Sequence, residues 1–261
     1  MSDRVIDEST KRSSAKKSFL LMALLILALF ALTVYVNAWK EDRRVTEVVV
    51  EGNRITAAKD ILVLARVSPN AWLFDLDLYS IEQRVLKNEY VKSVAVHRDV
   101  PNRVRITIDE RIPVAAIVLD RLYYLDADGF VLPPARSQHI FDLPVLSGSI
   151  AVEDCIAGKQ TKSASVREAL RILSIAREVS DELYRNISEL RLDGNRGFIF
   201  YTSEFGILVI LGRDRIGPKL VKFDSFWSSA AVREGADRLQ YVDLRFEDQV
   251  VVRWNHKDAH S

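Results

Sequence analysis

The sequence predicts an α+β protein with a single N-terminal transmembrane helix, a small mixed domain, and a larger mixed β-sheet domain flanked by helices. Three observations lead to this fold class. One uninterrupted apolar run covers residues 19–36. Residues 45–113 follow the order strand, helix, helix, strand, strand. Residues 114–254 alternate short strand-like runs with two amphipathic helical segments, so the second sheet is expected to carry helices on its surface.

The apolar run has the length and the flanks of a membrane anchor. At about 1.5 Å per residue a helix of this length rises roughly 27 Å, close to the hydrocarbon thickness of a bilayer. A cleaved secretory signal is the alternative, because Val36-Asn37-Ala38 could pass for a cleavage site. The apolar core of such a signal is usually only about 7 to 15 residues long, so we favour a retained anchor over residues 19–38.

Charge orients this anchor. Slightly more Lys and Arg precede the run than follow it, which favours a cytoplasmic tail over residues 1–18 and places the bulk of the chain across the membrane. The tail carries charges, serines and no apolar period, so it is predicted to be disordered.

Composition narrows the classes of function. The formal net charge is +1, so no global field favours nucleic acid or a strongly acidic substrate. Cys155 is the only cysteine, which excludes an internal disulfide and a thiolate metal cluster. We interpret it as a small buried residue. No pattern of metal-ligating or nucleophilic residues predicts a metal, a cofactor or a small-molecule substrate.

The first predicted domain, residues 45–113, is defined by hydrophobic periodicity and turn signals. The pair Gly52-Asn53 ends the first strand, and apolar residues at three- and four-residue spacing then indicate two helices, the second from about Leu78. Alternating residues indicate two further strands. The predicted strands are residues 45–51, 91–98 and 103–109.

The second predicted domain, residues 114–254, begins with short strands. Asp126-Ala-Asp-Gly129 indicates a tight turn, and a calcium loop is the alternative, although such a loop needs further oxygen ligands and a late glutamate. Ser165 and Glu168 have the spacing of a capping box in front of the first amphipathic helix. Pro218 suits the first position of the second helix.

The last two predicted strands, residues 240–246 and 250–254, form a hairpin, and residues 255–261 are a short polar tail predicted to be disordered. In the first strand Val242, Leu244 and Phe246 are expected to share one face. A strand at a sheet edge exposes unpaired N–H and C=O groups, which are either guarded or offered to a partner strand. Residues 250–252 contain neither proline nor glycine, so this edge is predicted to be a docking site.

Several motifs resemble those of one bacterial family. Three of them are similar to a POTRA domain, the polypeptide-transport-associated module: Val48-Val-Val-Glu-Gly52, Asn88-Glu-Tyr-Val91 and Arg98-Asp-Val-Pro101. Four others resemble the join, the β-domain and the last strands of the FtsQ/DivIB family of cell division proteins: Glu110-Arg-Ile-Pro-Val-Ala115, Tyr124-Leu-Asp-Ala-Asp-Gly129, Leu143-Pro-Val-Leu146 and Tyr241-Val-Asp-Leu-Arg-Phe246. These motifs follow one another in the family's order.

The resemblance implies a noncatalytic scaffold of the division machinery. Such a protein would lie in the inner membrane as a single-pass type II protein, concentrated at the septum, with its POTRA and β-domains in the periplasm. It would link early division proteins to the late septal wall synthases. The family's last strand receives an extended segment of the division protein FtsB, which pairs with FtsL, and the POTRA domain is a further surface for division proteins.

Carried over by position, the resemblance assigns a partner-binding site to the C-terminal hairpin. Arg245 would meet an acidic side chain of the partner, whereas Phe246 and Trp254 would form apolar anchors. The predicted partner-binding residues are Arg245, Phe246, Asp248, Gln249, Val250, Val252 and Trp254. An alternative is that Phe246 and Val252 face the protein's own core and that Trp254 caps the end of that core.

Two other classes of function are less favoured by the sequence. An enzyme is not favoured, because the chain lacks a G-x-S-x-G elbow, an H-E-x-x-H pair and a complete phosphate-binding loop. An envelope assembly or secretion factor would also use a POTRA domain, but it would place that domain beside a transmembrane β-barrel of many alternating strands. The sequence shows one apolar helix instead.

Overall fold

The computed structural model describes residues 6–41, 43–135, 141–149, 152–231, 235–247 and 249–255. The predicted contact Asp248 and residues 256–261 of the predicted tail lie outside these ranges. The helices are α1 (Ile6–Glu41), α2 (Ala58–Ala65), α3 (Leu78–Val85), α4 (Ala164–Val179), α5 (Asp181–Arg185) and α6 (Ile216–Phe226). The strands are β1 (Glu47–Glu51), β2 (Val91–Asp99), β3 (Arg103–Glu110), β4 (Pro113–Val118), β5 (Leu122–Asp126), β6 (Val131–Leu132), β7 (Val145–Gly148), β8 (Ile187–Asp193), β9 (Gly197–Thr202), β10 (Leu208–Gly212), β11 (Leu239–Asp243) and β12 (Val251–Trp254).

Helix α1 holds the apolar segment Phe19–Val36. Among the described residues it is the one helix long and apolar enough to cross a membrane. The large side chains of the segment are exposed, as expected for a surface that faces lipid. The helix begins at Ile6, so the prediction of a disordered tail is wrong for residues 6–18. No glycine or proline interrupts α1, so the helix of the apolar segment continues into the polar residues that precede it.

The predicted order strand, helix, helix, strand, strand is confirmed in a three-stranded sheet with the order β1-β3-β2. Strands β1 and β3 pair in parallel, with Val48 opposite Val104 and Val50 opposite Ile106. Helices α2 and α3 each bury one apolar stripe, as their three- and four-residue spacing predicts.

The second sheet has nine strands in the order β12-β11-β10-β9-β8-β7-β4-β5-β6. It is mixed: β10 pairs with β11 in parallel, whereas β9 with β10 and β11 with β12 are antiparallel. Residues of α4, α5 and α6 form one hydrophobic core with one face of this sheet, and Phe200 of β9 meets Phe223 of α6 edge to face at 5.1 Å. The prediction of a mixed sheet flanked by helices is confirmed.

Two helix starts differ from the sequence prediction. Ser163, not Ser165, is the N-cap of α4, and its hydroxyl accepts a hydrogen bond from the N–H of Val166 at 3.4 Å. Pro218 is the third residue of α6 rather than the first, because the helix begins at Ile216. The missing N–H of proline is tolerated there, since the first four N–H groups of a helix have no partner within it.

The chain divides into two compact units. Of the described residues, those within 1–51, 61–85 and 94–108 form one unit, and those within 52–60, 86–93 and 109–261 form the other. Glu110 helps to explain why the segment after β1 belongs to the larger unit. Its buried carboxylate accepts the backbone N–H groups of residues 54, 55 and 56 at 2.7, 2.7 and 2.8 Å. The predicted boundary between residues 113 and 114 stays a prediction.

Candidate functional site

Strand β12 lies at the edge of the nine-stranded sheet and pairs with β11 alone among the described strands. The pairing is antiparallel, with Tyr241 opposite Arg253, Val242 opposite Val252, and Asp243 opposite Val251. The predicted hairpin therefore exists, and its second strand carries the predicted contacts Val252 and Trp254. A strand paired on one side only presents the main-chain groups of its other side to a partner.

The hydrogen bonds of β11 show which residues of β12 have main-chain groups on the open side. The N–H of Leu244 donates to the C=O of Ile210 on β10, so Leu244 and Val242 direct their main-chain groups towards β10. Tyr241 and Asp243 consequently direct theirs towards β12, where they meet Arg253 and Val251. It follows that Val252 and Trp254 direct their N–H and C=O groups away from the sheet.

The side chains of Val252 and Trp254, unlike their main-chain groups, face the protein's own core. Val250, Val252 and Trp254 pack, partly buried, against the hydrophobic core between the sheet and the helices. Val252 lies opposite Val242, which is completely buried. The sequence-based alternative therefore holds for Val252 and Trp254 as far as side chains are concerned. Val252 and Trp254 can therefore contribute to docking mainly through the backbone, whereas Val250 lies just before β12.

Phe246 is placed differently from the prediction. Strand β11 ends at Asp243, three residues before Phe246, and 47% of Phe246 is exposed whereas Val242 and Leu244 are buried. The prediction that these three residues share one face is wrong, because the chain leaves the strand before reaching Phe246. Gln249 is exposed in the same turn. The ring of Phe246 is thus an apolar surface open to solvent.

Arg245 is already engaged within the protein. Its guanidinium forms a two-pronged ion pair with Asp243, with distances of 2.6 Å from Nη2 to Oδ2 and 3.0 Å from Nε to Oδ1. Burial raises the pKa of the Asp243 carboxyl, but hydrogen bonds from the side chain and the N–H of Arg245 outweigh this effect and leave the pKa below its usual value. An acidic partner side chain would therefore meet a cation held in place by Asp243.

A buried lysine lies beside the end of β10. Lys219 of α6 is only 5% exposed, and its ammonium donates to the C=O of Leu211 at 3.1 Å and to Asp214 at 3.0 Å. Its charge also contributes to the lowered pKa of Asp243. Lys219 thus joins α6 to the end of β10, and it acts on Asp243 at the end of β11 only through its charge.

The hairpin turn is held to α6 through Glu247. The carboxylate of Glu247 forms an ion pair with Arg215, and its C=O accepts a hydrogen bond from the ammonium of Lys222. Both contacts are exposed, so each contributes little stability alone. Together they restrict where the turn that carries Phe246 can lie.

Sequence reasoning missed the outer face of the edge. Strand alternation places Val251 and Arg253 on the face opposite to Val252, beside Tyr241 of β11. Arg253 is exposed, and Val251 and Tyr241 are half-buried. The two-residue period of the hairpin was the signal that could have identified them.

A metal centre has no candidate among the described residues. Within the parts of the chain that the structure describes, no group of three or more His, Cys, Asp or Glu side chains is arranged to hold a metal ion. Cys155 is buried beside Thr161, with 3.4 Å between Sγ and Oγ1.

Comparison of the sequence with known proteins identifies its relatives. Residues 43–111 match the family model "POTRA domain, FtsQ-type", and residues 115–245 match "Cell division protein FtsQ/DivIB, C-terminal". The second match ends before β12. The chain is 31% identical to a cell division protein FtsQ of Syntrophotalea carbinolica, over 80% of this chain and 73% of that protein.

Two further relatives widen the comparison. A cell division protein FtsQ of Rhodothermus marinus is 31% identical, with 97% of this chain and 93% of that protein covered. A cell division protein DivIB of Bacillus subtilis is 25% identical, with 88% and 76% covered. The similarity to the Rhodothermus marinus protein therefore extends over nearly the whole chain.

Proposed function

The chain belongs to the FtsQ/DivIB family of cell division proteins, and from this we propose that it is a noncatalytic scaffold that binds an FtsB/FtsL-like pair by strand addition to β12. The observation that carries the proposal is the edge position of β12, with the main-chain groups of Val252 and Trp254 directed away from the sheet. An extended partner segment gains affinity there from backbone hydrogen bonds.

Side chains near the edge add specificity to this proposal. Arg245, fixed by Asp243, supplies a cation for an acidic partner residue, and the exposed ring of Phe246 supplies an apolar contact. Gln249 is exposed in the turn between the two strands, whereas the proposed contact Asp248 lies outside the described residues. The side chains of Val250, Val252 and Trp254 pack against the core and so hold the edge strand in place. The main-chain groups of Val252 and Trp254 pair with the partner segment.

The membrane helix gives the scaffold its mechanism. We place residues 1–18 in the cytoplasm, residues 19–38 in the inner membrane, and the POTRA and β-domains in the periplasm at the septum. Anchoring restricts diffusion to the membrane plane and raises the effective concentration of weakly binding neighbours. A protein of this design joins early division proteins to the late septal wall synthases, and its POTRA domain offers a further surface to other division proteins.

A proline at position 252 tests the strand addition. Val252→Pro removes an N–H that points away from β11, so the pairing of β12 with β11 is retained. Val252→Ala is the matched control, because it trims the same side chain and keeps the N–H. We expect full-length Val252→Pro to lose co-purification of the FtsB-like partner while Val252→Ala retains it, with both proteins folded by circular dichroism. Undiminished recovery of the partner by Val252→Pro would contradict the proposal.

Two further measurements address the surface and the alternative function. A site-specific crosslinking scan from Tyr241 to Trp254 in dividing cells should give its strongest FtsB adducts on the open side of β12. Depletion of the protein should block septation. If depletion instead impairs the insertion of outer-membrane barrel proteins, the alternative of an envelope assembly factor replaces the scaffold.

A further inference from the structure

The residues that join the membrane helix to the first sheet are hydrogen-bonded on both sides. We call residues 43–46 the entry segment. On one side the N–H of Leu73, in the loop between α2 and α3, donates to the C=O of Arg43 at 2.8 Å. On the other side the N–H of Thr46 donates to the C=O of Asn102, in the turn between β2 and β3, at 2.9 Å. The α2–α3 loop and the β2–β3 turn are therefore both fixed to the entry segment.

The entry segment lies close to the membrane, because few residues separate it from the apolar segment. That segment ends at Val36, and α1 continues to Glu41. The five helical residues rise about 7.5 Å, and two more residues add at most about 7 Å. The polar headgroup layer fills about 5 to 7 Å of this distance. Arg43 therefore lies within about 10 Å of the headgroups, which is roughly one Debye length.

The α2–α3 loop and the β2–β3 turn each carry an exposed apolar side chain. Trp72 lies in the loop and is 37% exposed, and Val100 lies in the turn and is 50% exposed. Leu73, the neighbour of Trp72, is completely buried and anchors the loop. Tryptophan is enriched at membrane–water interfaces, because its ring is apolar and its N–H is polar. Two exposed apolar side chains therefore accompany the entry segment at the membrane end of the sheet.

Arg44 fixes the position of Trp72. Its guanidinium lies 3.8 Å from the centre of the indole ring, and its Nη1 donates to the C=O of Asn70 at 3.1 Å. Arg44 and Trp72 also form an antiparallel β-bridge. A guanidinium has five N–H donors, so Arg44 keeps donors for a lipid phosphate while it stays stacked on the indole.

The other charges near the entry segment do not select a strongly charged occupant. Arg103 pairs with Glu47 at 2.8 Å, and Asp77 accepts the first N–H groups of α3. Arg44 is exposed and forms no ion pair among the described residues, but Asp75 is exposed in the same loop and offsets its charge. A single available cation beside two apolar side chains matches a phospholipid surface, which presents phosphates above apolar chains.

We propose that Arg44, Trp72 and Val100 rest in the headgroup layer of the bilayer that holds α1. Arg44 binds a phospholipid phosphate, and the two apolar side chains lie at the boundary between the headgroups and the acyl chains. This contact fixes how the first sheet stands on the membrane, which one tethering helix would not do alone. The proposal rests on the retained anchor of the proposed function, but not on partner binding at β12.

The test compares how far the two ends of the first sheet lie from the bilayer. The full-length protein carries Cys155→Ala and one new cysteine, Ser68→Cys or Thr107→Cys, labelled with a polar fluorophore. Ser68 is exposed in the α2–α3 loop, whereas Thr107 is exposed at the far end of the sheet, opposite Glu51. Vesicles of equal parts phosphatidylcholine and phosphatidylglycerol contain a lipid with a nitroxide in its headgroup. We expect this lipid to quench the label at position 68 and not the label at position 107.

A spacer distinguishes contact from tethering. About ten glycine and serine residues inserted between residues 42 and 43 span roughly 17 Å and free the sheet to leave the membrane. We expect quenching at position 68 to persist in the spacer protein, and to be lost when Arg44→Ser and Trp72→Ser are added. Trp72→Tyr, which keeps an amphipathic ring, should retain the quenching. Phe205→Ser is the control at an exposed aromatic residue of the other unit, and it should retain the quenching too.

The outcomes separate this contact from the anchor. Loss of quenching at position 68 in the spacer protein would overturn the proposal and leave this face to a protein partner. Equal quenching at positions 68 and 107 would overturn it as well. Absence of the labelled protein from floated vesicles would refute the membrane anchor itself, and the lipid contact with it. Thermal unfolding of each variant shows that a loss of quenching does not come from a loss of fold.

Discussion

Arg245 and Asp243 lie two residues apart, and the guanidinium of Arg245 forms a bidentate ion pair with the carboxylate of Asp243, through Nε and Nη2. Asp243 is buried whereas nearly half of the Arg245 side chain is exposed. This contact thus satisfies a buried carboxylate, and it also fixes the direction of an exposed cation, which the proposed partner would meet.

The ion pair predicts how stability depends on pH. The folded-state pKa of Asp243 lies below its usual value, so its contribution to stability is present above the unfolded-state pKa of about 3.9. That contribution is lost as the pH falls through the folded-state pKa. We expect the free energy of unfolding of the wild type to fall more between pH 5 and pH 2 than that of Asp243→Asn, measured by urea unfolding. The exposed Asp120→Asn is the control, and it should follow the wild type.

Glu110 predicts a second, larger effect on stability. A single buried carboxylate accepts three N–H groups, from Arg54, Ile55 and Thr56, and the neutral amide of Glu110→Gln would turn an NH₂ group towards those donors. We expect Glu110→Gln to lower the free energy of unfolding by about 2 kcal/mol. Glu89→Gln, at an exposed position, should change it little. Equal stability of the two variants would show that the loop does not depend on this carboxylate.

The cap of α4 gives a third prediction, which separates two neighbouring serines. The hydroxyl of Ser163 accepts the N–H of Val166, whereas Ser165 lies inside the helix. Ser163→Ala should cost about 1 kcal/mol of unfolding free energy. Ser165→Ala should cost clearly less, although it removes a hydroxyl 2.9 Å from that of Ser163. If Ser165→Ala loses more unfolding free energy than Ser163→Ala, Ser165 is the cap, as the capping-box pattern of the sequence suggests.

Sequence patterns were sufficient where a local period decides the structure. The order of elements in residues 45–113 follows from apolar spacing and turn signals, and the exposed terminal hairpin follows from alternation and turn residues. The helical state of residues 6–18 was missed because these residues have no apolar period, and their helix is instead continuous with the segment beyond them.

The side chains of the site were harder to predict. The predicted strand over residues 240–246 puts Asp243 and Arg245 on one face, so their proximity could have been inferred from spacing, but the resemblance directed Arg245 to a partner instead. Whether Trp254 faces the core depends on α6 and on the register of β12, which are tertiary features. The hydrogen bond from the N–H of Leu244 to the C=O of Ile210 likewise shows which side of β12 is open. It joins strands that are far apart in the sequence, so no local pattern predicts it.

The two aromatic residues of the hairpin provide the fourth prediction, because the structure separates their roles. Phe246 is 47% exposed, so Phe246→Ala should weaken binding of an FtsB-like partner about tenfold or more while the melting temperature stays unchanged. Trp254 packs against the core, so Trp254→Ala should lower the free energy of unfolding by about 2 kcal/mol and weaken binding as well.

The measurements are thermal unfolding and quantitative recovery of the partner by the full-length variants. Phe205→Ala is the matched control for Phe246→Ala, since Phe205 is 61% exposed in the β9–β10 turn, far along the sheet from the hairpin turn. It should leave both quantities unchanged. If Phe246→Ala recovers as much partner as Phe205→Ala, the exposed ring does not anchor the partner, and backbone pairing with β12 has to account for the affinity without it.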